Sequence, residues 1–297
     1  MIISIIGSGA LGKAYGGLLS FKHEVHFLMH SEYQTLLQQK AFTLHFPENK
    51  EILIKDPLIH QAANTLPPSD VIIIALKTTE NNQLGTLLAS CLKPDSIILI
   101  IQNGIGNEEW VSQFSKNCPI VCGISSMGAF REGLDVQIPI IGEFRLAPYN
   151  ASMACNTIME AFNDLPIPIK PKIFSSYKEI RWRKLLWNVP FSSLSVIYKQ
   201  DTQILASVQP YASIVRSLMN EIVDLAKAEG VNITQDDVEK MITLTKGFNS
   251  YYPSMYRDYF AGKPVEKEYI IGNVLKFSEK HHIDTPILKM IAAHFEI

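Results

Sequence analysis

Apolar residues in the first hundred positions fall into short, nearly unbroken runs: Ile2 to Ile6, Val71 to Leu76 and Ile97 to Ile101. Continuous runs, unlike apolar and polar alternation, mark strands covered on both faces, as in a parallel sheet with helices on each side. Between the runs the spacing turns helical. Ala14, Leu18 and Leu19 form one stripe behind the first strand, and helices are predicted over Asn81 to Leu92 and Glu108 to Phe114. A further strand is predicted near Glu24 to Met29, and a hairpin pair over Phe42 to Phe46 and Glu51 to Lys55. The alternation predicts an α/β fold: an N-terminal Rossmann-like, doubly wound parallel sheet.

The pattern changes after the proline-rich stretch Pro166, Pro168, Pro171. From Tyr177 onward it predicts helices only: Tyr177 to Tyr198, Pro210 to Glu229, Gln235 to Lys246, Pro253 to Phe260, Pro264 to His281 and Pro286 to Phe295. Pro264 suits a first helical turn, and Gly262 suits the end of the helix before it. The expected organisation is a dinucleotide-binding domain over residues 1–170 and an all-helical substrate and catalytic domain over residues 171–297.

Composition narrows the function. The chain has 297 residues, 47% hydrophobic and 19% charged, enough for two cores. A formal net charge of -2 leaves no electrostatic footprint for nucleic acid or an anionic membrane surface. No apolar run approaches the roughly 20 residues needed to span a bilayer. No basic segment leads into an apolar one at the N-terminus, so the cytoplasm is the expected location. The four cysteines, Cys91, Cys118, Cys122 and Cys155, form no C-x-x-C pair. Cys118 and Cys122 share a face of a predicted strand, but no histidine lies nearby; buried free thiols are expected, and no metal site.

The candidate chemistry begins directly after the first strand, where Gly7, Ser8, Gly9, Ala10, Leu11 and Gly12 form G-x-G-x-x-G. Gly7 permits the tight turn, Gly9 keeps a side chain out of a pyrophosphate's path, and Gly12 lets the helix pack closely on the strand. Glycine turns of this kind also occur in domains that bind nothing, but here a buried-type strand precedes the turn and an apolar helix follows it. Two other strands end in polar groups: one in Lys77, Thr78 and Thr79, the other in Gln102, Asn103 and Gly104. In an open α/β sheet that edge is where ligands bind.

In the helical half, Lys184, Asn188 and Ser192 recur every four residues, which puts an ammonium, a carboxamide and a hydroxyl on one face. A solvated polar stripe would look the same. The neighbours Trp187, Pro190, Phe191 and Leu194 leave little room for a wet face, so the stripe is expected to line a cavity. Ser254, Asp258 and Glu266 form a later polar cluster, in which Glu266 could equally complement a helix dipole. The aromatic group Tyr251, Tyr252, Tyr256, Tyr259 and Phe260 suits a core or a homodimer interface.

Taken together, the residues resemble the ketopantoate reductase (2-dehydropantoate 2-reductase) family nearly end to end. The resemblance rests on Gly7 to Gly12, Leu76 with Lys77, Gln102 to Gly104, Gly123 to Ala129, Trp182 to Leu185 with Asn188, and Ser254 to Glu266 with Gly272. It implies reduction of ketopantoate, a small 2-oxo acid, to pantoate by NADPH in pantothenate biosynthesis. In that role Lys184 is the general acid at the carbonyl oxygen and Glu266 bonds the substrate hydroxyl. Asn103, Asn188, Ser192 and Ser254 position substrate or nicotinamide, and Lys77 lies against the cofactor or the substrate carboxylate.

Three positions depart from the family pattern. The family usually has an arginine for the 2′-phosphate of NADPH at the end of the second strand, where this chain has His30 followed by Ser31 and Glu32, which keeps NADH open as the cofactor. Ser192 stands where a second asparagine is common, and Ile271 where an asparagine precedes Gly272. Two other functions therefore remain: an NAD(P)H-dependent reductase of a different small oxo acid, and a dinucleotide-binding sensor without catalysis.

Overall fold

The computed structural model describes residues 1–297, and they divide into two compact units. One comprises Met1–Gln102 with Asn107–Tyr177; the other comprises Asn103–Gly106 with Lys178–Ile297.

In the first unit, β1 (Ile2–Ile6), α1 (Ala10–Leu19), β2 (Glu24–Leu28), α2 (Tyr33–Gln39), β3 (Ala41–Phe46), β4 (Lys50–Lys55), β5 (Leu58–His60), β6 (Val71–Ile74), α3 (Leu84–Cys91), β7 (Ile97–Ile100) and α4 (Asn107–Ser112) follow one another. Next come β8 (Ile120–Ser125), β9 (Gly128–Glu132), β10 (Asp135–Ile140), β11 (Phe144–Pro148), α5 (Met153–Ala161) and β12 (Lys172–Ile173). Eight strands form one sheet in the order β12-β11-β8-β7-β6-β1-β2-β5. All its pairings are parallel except β11 with β8. The doubly wound parallel sheet expected from the sequence is present, with two strands at one edge, β11 and β12, running opposite to the other six.

The unbroken apolar runs have the predicted cause. Ile3, Ile5, Val71, Ile73 and Leu99 feed the core on one face of the sheet, and Ile6, Ile72, Ile74, Ile98 and Ile100 feed the core on the other. Both faces of these strands are covered, so no polar alternation appears; the one polar residue, Ser4, is buried and bonded to the Ser69 hydroxyl at 2.8 Å.

The sequence did not reveal a second sheet of four strands, β4-β3-β10-β9. The predicted hairpin β3–β4 is there, and β10 pairs parallel with β3 and antiparallel with β9. Phe42, Leu44 and Phe46 alternate along β3 and join α1 in the same core. Cys118, expected on a strand beside Cys122, lies just before β8; all four cysteines are buried and free.

The second unit contains α6 (Tyr177–Tyr198, whose first residue closes the other unit), α7 (Thr202–Ser207), α8 (Tyr211–Ala228), α9 (Gln235–Lys246), α10 (Ser254–Phe260), α11 (Asn273–His281) and α12 (Pro286–His294). Its core gathers Trp182, Leu185, Leu186, Val189, Leu218, Ile222, Ile271, Leu288 and Ile291. The helix predicted over Pro264 to His281 is not continuous. Residues 263–266 are irregular, Glu268–Gly272 form a π-helical turn, and only then does α11 begin. No helix of the protein is long and apolar enough to cross a membrane.

Candidate functional site

The glycine loop has the conformation its spacing requires. Gly7 adopts φ +98°, and a Cβ there would overlap the backbone of Leu76. A Cβ on Gly12 would run into the Gly7 carbonyl and come 3.0 Å from Cγ2 of Ile5, so the first turn of α1 can pack this closely only without one. At Gly9, by contrast, a Cβ would meet nothing within 4 Å. The other two glycines are required by the fold, whereas the space over Gly9 is open. That is the cradle a pyrophosphate would fill, faced by the unsatisfied first N–H groups of α1. Ser8 donates its hydroxyl hydrogen to the Leu28 carbonyl at 2.8 Å and so ties the loop to the end of β2.

A cavity of about 470 Å³ opens at this point. Its walls are Gly7, Ser8 and Gly9; Leu28 through Glu32; Leu76, Glu80, Gln83 and Leu87; and Arg131. Of the residues predicted to hold a cofactor, Gly7, Ser8, Gly9 and His30 line it, while Ala10, Leu11 and Gly12 open α1 beneath. Lys77 is exposed in the segment between Leu76 and Glu80, outside the wall itself. A dinucleotide's adenosine and pyrophosphate fit these walls in size and polarity.

Two charges of this wall, Glu32 and Arg131, and the buried Lys13 bonded to Glu32 had no role predicted for them. Lys13, on α1 one residue past the glycine motif, is 0% exposed. Its Nζ donates to Glu32 and, at 2.9 Å, to the Leu134 carbonyl, and lies 5.4 Å from the centroid of the Phe42 ring. Glu32 also accepts from Nη1 of Arg131, on β9, at 2.6 Å. Burial holds the Lys13 ammonium below the usual lysine range, and the bond to Glu32 offsets only part of that fall. A cation directly after the motif on an otherwise apolar helix was the available signal. For Arg131 the sequence held none.

In the helical unit, α6 carries Lys184, Asn188 and Ser192 on successive turns, as the spacing predicted. Asn188 and Ser192 are buried; Lys184 is half-buried, with its Nζ 5.4 Å from the Trp187 ring centroid. Arg183 points elsewhere, into ion pairs with Glu179 and Asp237 at 3.0 and 3.1 Å. Asn188 donates from Nδ2 to Oδ1 of Asn103 at 3.4 Å. These two predicted substrate-binding amides are therefore brought together.

Asn103 is positioned by a short segment that the helices grip. Gly104 has φ +88°, and a Cβ there would overlap the Tyr269 carbonyl. The buried Arg181 donates to the Gly104 carbonyl at 3.2 Å, Ile105 N–H to the Tyr269 carbonyl at 3.0 Å, and Asn273 Nδ2 to the Ile105 carbonyl at 2.8 Å. Tyr269 lies in the π-helical turn, so the irregularity in the predicted helix is part of this clasp. Glu266 is buried just ahead of that turn, and Ser254 opens α10 at an exposed position. Arg181, Tyr269 and Asn273 were not singled out by the sequence.

Known proteins match in both halves. Residues 3–150 match the family described as ketopantoate reductase PanE/ApbA, and residues 176–296 match its C-terminal counterpart. The 2-dehydropantoate 2-reductase of a Nostoc species is 30% identical over 292 residues, 95% of this chain and 90% of the relative. That of Vibrio cholerae is 26% identical, over 97% of this chain and 94% of its own. The crystal structure of 2-dehydropantoate 2-reductase from Geobacter metallireducens superposes with a TM-score of 0.93 at 26% identity, covering 100% of this chain and 99% of the other. With sequence and fold coinciding over both units, the chain belongs to the ketopantoate reductase family.

Proposed function

We propose that this protein reduces ketopantoate to pantoate with NADPH, the first unit holding the cofactor and the helical unit supplying the substrate and acid groups. The observation that carries the reading is the open space over Gly9, flanked by glycines that the fold itself requires, in a chain of this family. When bound, the nicotinamide supplies a hydride to the substrate's carbonyl carbon.

The chain's own residues then have separable tasks. Gly7 to Gly12 and the start of α1 hold the pyrophosphate through backbone N–H groups. Lys184 donates a proton to the carbonyl oxygen as negative charge develops there, supplying charge and proton from one group. Glu266 accepts from the substrate hydroxyl. Asn103 and Asn188, already in contact, fix the oxo acid so that proton donor and carbonyl oxygen are aligned, with Ser192 one turn further along α6 and Ser254 on α10 completing the pocket. Lys77 lies against the cofactor, and two copies of the chain form a homodimer.

Ketopantoate-dependent oxidation of NADPH and of NADH, followed at the nicotinamide absorbance, tests the reading directly. No turnover of ketopantoate with either cofactor would overturn it. A second reading is reduction of a different small oxo acid, favoured by the buried Ser192 where the family often has a longer amide side chain. Faster turnover of another acid in a panel of 2-oxo and 3-oxo acids would select it.

A further inference from the structure

The cavity beside the glycine loop is built around a charge cluster whose members come from three separate elements. Lys13 is on α1, Glu32 precedes α2, and Arg131 is on β9 of the smaller sheet. Both carboxylate oxygens of Glu32 are engaged, Oε2 by Lys13 and Oε1 by Arg131 at 2.6 Å. At the end of the second strand of such a sheet, an acidic side chain ordinarily accepts hydrogen bonds from the ribose hydroxyls of an unphosphorylated cofactor. Glu32 is poorly placed to do so, because two cations already occupy it. The two cations offset the Glu32 charge from either side, and Arg131 is the cationic side chain that lines the cavity, on a wall that also carries Glu80.

His30, in the position usually given to an arginine, is exposed and lacks the guanidinium fork that suits a phosphate. Arg131 lines the same cavity and is one-third exposed. Its guanidinium has five N–H donors in a planar fork; one goes to Glu32, which fixes the plane. Lys13 holds Glu32 from the buried side, so Arg131 can turn toward a dianion without leaving the carboxylate unpaired.

We infer that Arg131, positioned by Glu32 and Lys13, reads the 2′-substituent of the cofactor's adenosine ribose and makes the protein select the 2′-phosphate. The cation expected at the end of the second strand is supplied instead from the smaller sheet. This deepens the proposed function and rests on its dinucleotide site, though not on the identity of the oxo acid.

The test is equilibrium binding of 2′,5′-ADP and of 5′-ADP by calorimetry, which needs no turnover. The wild-type protein is expected to prefer 2′,5′-ADP. Arg131→Gln lowers that preference roughly ten- to a hundredfold, the worth of charge-assisted hydrogen bonds to a phosphate, with 5′-ADP little changed. Arg131→Lys, which keeps the charge and the strand, retains part of the preference. An unaltered ratio of the two affinities in Arg131→Gln overturns the inference, whether both ligands bind as before or both bind more weakly. A wild-type preference for 5′-ADP also overturns it while leaving the dinucleotide site intact. Binding of neither ligand to the wild type removes the site itself, and the proposed function with it.

Discussion

Gly9→Ala and Gly12→Ala should fail in opposite ways, although both add one methyl group to the same loop. At Gly9 the backbone has φ -74° and ψ -159°, which any residue adopts, and the new Cβ would meet nothing within 4 Å. Alanine there gains about 0.4–1 kcal/mol by restricting the unfolded chain, and loses a comparable amount as a poorer helix cap than glycine. The net change in stability is within about 0.5 kcal/mol of zero. At Gly12 the same methyl overlaps the Gly7 carbonyl and crowds Ile5. Overpacking of that kind costs about 1–3 kcal/mol, or roughly 2–10 °C in Tm for a chain of this size. Binding inverts the order. A methyl over Gly9 fills the space where the pyrophosphate is proposed to rest and forces it off the N–H groups of α1. Loss of one charge-assisted hydrogen bond, about 1.5–3 kcal/mol, raises Kd for NADPH roughly ten- to a hundredfold. Thermal melting without ligand and fluorescence titration with NADPH read the two effects separately. A Gly9→Ala protein that binds NADPH with the wild-type Kd would refute the placement of the pyrophosphate on this loop.

Other substitutions probe the remaining parts. Lys184→Ala should lower kcat on ketopantoate by roughly two to four orders of magnitude, the range for losing a general acid, with NADPH affinity unchanged in direct titration; unaltered turnover would remove Lys184 from its role. Arg181→Met leaves the Gly104 carbonyl without its buried guanidinium and should cost about 2–4 kcal/mol in urea unfolding, with KM for the oxo acid rising as Asn103 loses its support. Glu229 is pushed up by burial, but bonds from Lys280, His281 and Lys178 outweigh this and hold its pKa at about 2. Because the folded value lies below the ordinary 4.5, its contribution is complete above that pH and is lost as the pH falls from there toward 2. Glu229→Gln should therefore be less stable than the wild type at about pH 6, and the gap in urea midpoint should narrow by about pH 3.

The fold was legible where local pattern and tertiary environment say the same thing. Val71 to Ile74 and Ile97 to Ile100 are apolar at every position because both faces of the sheet are covered, and the sequence shows that without further knowledge. Ala129 to Glu132 on β9, by contrast, are half-buried or exposed, and β10 is joined to β3 across about ninety residues of sequence. β9 and β10 pair with each other across a tight turn, Glu132 opposite Asp135, but only the distant pairing of β10 with β3 makes them part of a second sheet, and no local pattern announces that. The π-helical turn fails for another reason. Tyr269, Ile270, Ile271 and Gly272 are weak helix formers but fit a helical stripe, and the Tyr269 carbonyl accepts from Ile105 N–H, a contact no periodicity records.

The site divides along the same line. Gly7 and Gly12 could be read because a positive φ after a strand and a close approach of helix to turn are local demands, even though the Leu76 backbone that crowds Gly7 is remote in sequence, and Lys184, Asn188 and Ser192 because a helix converts sequence spacing directly into a shared face. The charge cluster could not, since no member implies the next until the chain is folded. Yet Lys13 carried half of the message. An ammonium at 0% exposure on a helix of apolar neighbours is too costly to bury alone and needs a carboxylate and an acceptor beside it. Glu32 and the Leu134 carbonyl meet that need, and in doing so they tie the carboxylate at the ribose wall to the interior of the fold. Altering the cofactor preference of this protein by exchanging Glu32 would therefore also strand Lys13, so a stability loss must accompany any such change. Arg131, one-third exposed and held on one side only, can be exchanged without that penalty.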